Sequence, residues 1–271
     1  MDKAKTKLSV IFTLSIIAIL ISAFVLAKPN GKSGNTVVIP EHAVQVADNV
    51  FSLGTATDAD GNKVEGLMFV HYKKENAKPS GGSKGNGGSN CFAYLASGAK
   101  WKTLESWLVN PANTQGLDEN FVFNNAGIDI QKWEDASLTN ILGDGSTTTE
   151  TLIADTGSPD DKNEVYFGSI DSAGAIAVTI VWGVFSGPPF ARKLVEWDQI
   201  YDQVDFDWSS AGEAGKMDFE NIATHEIGHA VGMGHPPDEC TEETMFRFAS
   251  AGETKKRDLN AGDIAGINGL Y

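Results

Sequence analysis

The stretch from His225 to His235, HEIGHAVGMGH, holds three of the five histidines in a chain of 271 residues. His225 and His229 are four apart, so on an α-helix they share a face one turn from each other and reach a single ion. Glu226 lies about 100° round the helix from His225, where its carboxylate leans over the metal without binding it. Gly232 can take the left-handed conformation that ends a helix and turns the chain. That turn returns His235 as a third ligand, and Pro236 and Pro237 forbid helical continuation. Three neutral imidazoles with one position left to water suit zinc in a catalytic site, since structural zinc sites usually fill all four positions with protein groups. Zinc lowers the pKa of that water towards about 7 and polarises a carbonyl, while Glu226 accepts the proton and passes it to a leaving amine. A bare His-Glu-x-x-His also arises among surface polar residues of helices; Gly232 and His235 at the added spacing separate this stretch from that reading.

The elements that must carry these residues alternate in type. NEVYFGSI and AIAVTIVWGVF read as strands, the second nearly all apolar, and RKLVEWDQIYDQVDFDW begins as another. GLDENFVFNNAGIDIQKWEDAS is predicted helical from about residue 128 to 136, its first half ambiguous. Strands followed by helices, with the histidines on the second helix, predict an α+β domain. Six tryptophans, Trp101, Trp107, Trp133, Trp182, Trp197 and Trp208, are distributed through it, most of them expected in its core.

Ahead of that domain the texture changes twice. Residues 1–27 place Lys3, Lys5 and Lys7 before an uncharged apolar run ending in Val25-Leu26-Ala27, the pattern of an export signal. The run is also long enough for an uncleaved membrane anchor, so contact with a membrane is expected only through this segment. Either way the remainder works outside the cytoplasm. Residues 28–76 contain β-rich runs about the turn DADGNK and predict a small hairpin unit between Ala43 and Lys74, a pro-segment or a spacer. Residues 77–90, KPSGGSKGNGGSN with the preceding Ala77, have the composition of a flexible tether, which sets the catalytic-sized unit at 91–271. The formal charge of −15 argues against nucleic acid as a partner, because phosphate binding needs basic patches.

THEIGHAVGMGH is similar to the extended zinc signature of the metzincin metallopeptidases. MDFENIATHEIGHAVGMGH followed by TMFRFASAGETKKRDLNAGDIAGINGLY resembles the matrixin branch of that group. The resemblance implies a twisted mixed β-sheet, an active-site helix and a C-terminal helix. It implies that His225, His229 and His235 bind zinc, that Glu226 is the general base and that Met245 forms the floor beneath the metal; on sequence alone Met245 is a core filler. It further implies hydrolysis of protein or peptide substrates laid extended beside an edge strand, for which AIAVTIVWG is the candidate and a central core strand the alternative. Two features depart from the family pattern. Cys91 stands in SNCFAYL rather than in the Arg-Cys-Gly context of a latency cysteine, and Phe246-Arg247-Phe248 replaces the usual proline after the Met of the turn.

Cys91 and Cys240 are the two cysteines, and an exported chain most simply joins them. Two free thiols, or a Cys91 thiolate directed at the metal, are the alternatives. DTGSPDDKNEV gathers Asp155, Asp160, Asp161 and Glu164, either hard oxygen ligands for Ca2+, which the resemblance favours, or a solvated acidic loop. The function expected is zinc-dependent endopeptidase action outside the cell or on the outer face of its membrane. The contrasting reading is a catalytically silent, zinc-stabilised attachment module, which has no use for an unliganded Glu226.

Overall fold

A computed structural model describes residues 35–74 and 90–271, so residues 1–27 and most of the Gly/Ser-rich stretch lie outside the described residues. Among the described residues no helix is long and apolar enough to cross a membrane. The strands are Thr36–Val37 (β1), Val44–Ala47 (β2), Val50–Thr57 (β3), Lys63–Lys73 (β4), Ala93–Tyr94 (β5), Trp107–Asn110 (β6), Gly145–Thr147 (β7), Asn163–Ile170 (β8), Ala175–Val184 (β9), Lys193–Asp202 (β10), Trp208–Ser209 (β11), Met217–Asp218 (β12), Met233–Gly234 (β13) and Phe248–Ala249 (β14). The helices are Glu119–Ser137 (α1), Phe219–Ala230 (α2) and Ala261–Leu270 (α3). This is the expected mixed α+β fold.

One large twisted sheet runs in the order β2-β3-β4-β9-β10-β8-β6-β7, with β1 added to β8 and β14 to β4. β6, β7, β8 and β10 pair in parallel, and β9 is antiparallel to both β10 and β4. Strand alternation divides two cores. On one face Val165, Phe167, Ala177, Val181, Trp197 and Tyr201 pack against Val122, Ile130 and Trp133 of α1 and Ile222 and Ile227 of α2. On the other face Tyr166, Val178, Ile180, Trp182 and Ile200 pack with Leu53, Val64, Met68 and Val70 from β3 and β4.

Two expectations are corrected here. β9 is not an edge strand: β4 pairs along it from Glu65↔Gly183 to Tyr72↔Ala175, and every residue of β9 but the last is buried. Its near-continuous apolar sequence follows from cover on both sides. α1 begins at Glu119, well before the predicted start, because Asp118 caps it by accepting from the Phe121 N–H at 2.9 Å. Asn124, Asn125 and Gly127 lower helix propensity there and hide that start. The segment around DADGNK is a three-stranded meander, its β3–β4 turn closed by Asp58, which accepts from the Asn62 N–H at 2.7 Å, and by Gly61 at φ 82°. The strands on either side of the Gly/Ser-rich stretch share one sheet.

Candidate active site

α2 starts where Asp218 accepts from the Asn221 N–H at 3.0 Å, and it carries His225, Glu226 and His229 on buried turns. Gly232 follows at φ 104°, in the left-handed region, where a β-carbon would fall 2.9 Å from the Ala99 carbonyl oxygen. The chain then turns back through β13 and presents His235. The three rings meet: the centroids of His225 and His229 are 4.9 Å apart, those of His229 and His235 4.8 Å, those of His225 and His235 5.4 Å.

The nitrogens divide their work. His225 Nδ1 lies 2.7 Å from the Thr244 carbonyl and His229 Nδ1 2.9 Å from the Met233 carbonyl. A carbonyl only accepts, so each Nδ1 carries the proton and each Nε2 keeps a lone pair. His225 Nε2 is buried without a partner, and His229 and His235 turn their Nε2 atoms towards each other at 3.1 Å. Without an ion that contact is a hydrogen bond from His235 Nε2–H to the His229 Nε2 lone pair, since His235 Nδ1 has no partner; with an ion both lone pairs are free to face it. A tetrahedral ion with ligands at about 2.0–2.1 Å sets two nitrogens about 3.3 Å apart, so the three residues fit zinc. Burial holds all three imidazoles below their ordinary pKa, His229 down to about 3, which keeps them in the neutral form a metal requires.

Glu226 is fully buried, and burial pushes its carboxyl up to about 8. Its Oε2 accepts from Thr179 Oγ1 at 2.6 Å and its Oε1 lies 2.9 Å from His71 Nδ1. Met245 lies beneath the helix, so close that a β-carbon at Gly228 would fall 2.1 Å from its Sδ. The turn that carries it is held by Asp263 of α3, which accepts from the Thr244 N–H at 2.7 Å and the Met245 N–H at 3.1 Å. Cys91 and Cys240 form a disulfide, tying the start of the 91–271 region to the segment after His235.

The acidic loop does not gather as one group. Asp160 pairs with Lys162, the Asp161 N–H donates to Glu196, and Glu164 accepts from the Ile153 N–H. Asp155 instead joins Glu196 and Asp198 of β10, one oxygen of each within 4.8 Å of the others. Glu196 Oε1 and Asp198 Oδ1 are buried there without partners.

Sequence reasoning missed His71, Thr179 and Lys256. Lys256 is fully buried; its Nζ donates to the Phe246 carbonyl and lies 3.1 Å from His71 Nε2. None of the three belongs to a local motif. The one sequence signal was the alternation of β4, which sets Phe69 and His71 on one face and Met68 and Val70 on the other.

Two buried histidines on a helix and a half-buried third after a glycine turn, with a glutamate beside them and a methionine below, on a mixed sheet, define a metzincin-type domain. The matrixin family model (peptidase M10) matches residues 67–271, and the chain belongs to that family. It is similar to metalloendoproteinase 1-MMP of Arabidopsis thaliana, 41% identical over 69 residues, 25% of this chain and 18% of that protein. Metalloendoproteinase 5-MMP of the same plant is 40% identical over 95 residues, 32% of this chain and 24% of that protein. Matrilysin of Homo sapiens is 35% identical over 74 residues, 27% of this chain and 26% of that protein. The aligned stretches thus span about a quarter or less of these relatives' own lengths.

Proposed function

We propose that the chain is a zinc-dependent endopeptidase working outside the cytoplasm, with His225, His229 and His235 as metal ligands and Glu226 as general base. The observation that carries this reading is the set of inward-facing Nε2 atoms beside a buried carboxylate that ligates nothing. Zinc supplies Lewis acidity there, polarising a peptide carbonyl and acidifying water. The chain's own groups do the rest. Thr244 and Met233 fix the ligand tautomers through their carbonyls, Met245 and Trp133 hold α2 from below, and Thr179 orients Glu226. Burial raises this carboxyl above the ordinary glutamate range, which makes the ionised form a better proton acceptor and lets it pass the proton to a departing amine. The substrates are proteins or peptides lying extended against the sheet.

Residues 1–27 supply an export signal or anchor, as their charge and apolar pattern indicate. Asp155, Glu196 and Asp198 offer a calcium site supported by two orphaned carboxylate oxygens. A second reading, a silent zinc-stabilised module, draws on the occupation of both Glu226 oxygens and on the cover over β9.

The test uses the full exported chain, intact and cut within residues 77–89, loaded with zinc and assayed on a broad peptide library. One equivalent of zinc, hydrolysis abolished by chelation, and loss of at least about a thousandfold on Glu226→Gln with zinc retained are expected. Full zinc occupancy with no hydrolysis in any form would leave the silent module.

A further inference from the structure

β4 lies in a slot bounded on one side by β9, to which it is antiparallel, and on the other by its own neighbour β3 as far as Phe69 and then, at Tyr72 and Lys73, by β14 after Met245, to which it is parallel. The slot passes over the three histidines. The Phe69 ring stacks on His229 with centroids 4.1 Å apart and meets His235 edge-on at 5.8 Å; the His71 ring lies 3.9 Å from that of His225. A peptide that joined β9 by main-chain hydrogen bonds would need this same slot, and its alternate side chains would point where Phe69 and His71 now point.

His71 fills the space between the base and a buried cation. Its Nε2 lies 3.1 Å from Lys256 Nζ and its Nδ1 2.9 Å from Glu226 Oε1; when Lys256 is an ammonium it can only donate, which puts the ring proton on Nδ1, facing the carboxylate. Both ring nitrogens are thereby engaged, and His71 acts on the carboxylate rather than as a fourth ligand. With Thr179 on Oε2, neither oxygen of Glu226 is free of a donor. The strand is anchored beyond the site as well. Val64, Met68 and Val70 are buried in the second core, and Asp48, between β2 and β3, pairs with Arg247 at 3.1 Å.

We infer that β4 is an internal occupant of the peptide track, with His71 in the pocket of a substrate side chain, tying up Glu226, and that Lys256 at the pocket's end selects substrates bringing a hydrogen-bond acceptor there. This rests on the peptidase reading above. When His71 leaves, Lys256 Nζ loses an acceptor; an acidic, amide or imidazole side chain replaces it, and an apolar one does not.

The experiment uses the zinc-loaded full chain carrying a site-specific protease sequence within residues 77–89. Peptide hydrolysis and amide hydrogen exchange of residues 175–184 are followed before and after the cut, and a synthetic peptide of residues 63–74 is added in trans. The cut is expected to raise hydrolysis at least about tenfold and to speed exchange in β9. The peptide should restore both inhibition and protection, and its His71→Ala version should bind at least about tenfold more weakly. Library cleavage should favour acceptor side chains at one position, and Lys256→Met, similar in volume, should turn that preference towards apolar ones. Equal rates and equal protection before and after the cut would overturn the inference, as would an unchanged preference in Lys256→Met. If no form hydrolyses anything, the peptidase reading fails instead. The track is then judged by exchange alone: reprotection by the 63–74 peptide supports it, and none overturns it.

Discussion

Met245 and Gly228 are in such close contact that any side chain on Gly228 would occupy the position of the Met245 sulfur. The helix turn between His225 and His229 therefore rests directly on the methionine. Gly228→Ala is expected to cost about 1–3 kcal/mol through overpacking and to lower zinc occupancy, read by denaturant titration and metal analysis. Met245→Leu conserves volume and should cost less than about 1.5 kcal/mol. Normal zinc binding in Gly228→Ala would refute the floor role.

Asp263 reaches the proposed metal ligand His225 through one intervening residue. It holds the Thr244 N–H, and the Thr244 carbonyl orients His225. Asp263→Ala leaves two N–H groups of the turn without acceptors, at about 1–3 kcal/mol each. Zinc affinity is expected to fall about 10–100-fold, as for other groups that orient metal ligands. Competition with a chromogenic chelator measures it; an unchanged affinity would show that the turn holds its shape without α3.

The Cys91–Cys240 bridge spans 149 residues of sequence. Loop-closure entropy makes such a bridge worth about 4–5 kcal/mol, with actual values often lower. Cys91→Ser with Cys240→Ser should lower the unfolding free energy, read by denaturant titration, by an amount in that range or below it. A shift below about 1 kcal/mol would mean that the packing of β5 on β13 already holds these segments together.

Burial, reinforced by Asp155, pushes Glu196 up to about 9, and burial also raises Asp198 well above the carboxylate range. Without a cation these groups hold protons in the folded state that the unfolded chain has released. Stability should therefore fall as pH rises from about 4.3, the ordinary Glu value, towards 9. Calcium binding the ionised forms should flatten that slope. Thermal melts from pH 5 to 9 with and without millimolar calcium decide it, and Asp198→Asn should abolish the calcium effect. Identical curves would leave the cluster as buried, protonated carboxyls.

The meeting of His225, His229 and His235 was legible in the sequence because they sit within one helix and one turn, where 3.6-residue periodicity and a glycine convert spacing into geometry. Glu226 and the α+β order were legible for the same local reason. His71 and Lys256 were not: 155 residues separate His71 from Glu226, and 185 separate it from Lys256. Only strand pairing brings them together, and pairing is chosen by which apolar faces can be buried at once. The same global choice turned AIAVTIVWG from an exposed edge into a covered strand, since its composition suits either place and the partner that covers it lies across a Gly/Ser-rich stretch. Local spacing determined what could bind zinc, and long-range burial decided what stands in front of it.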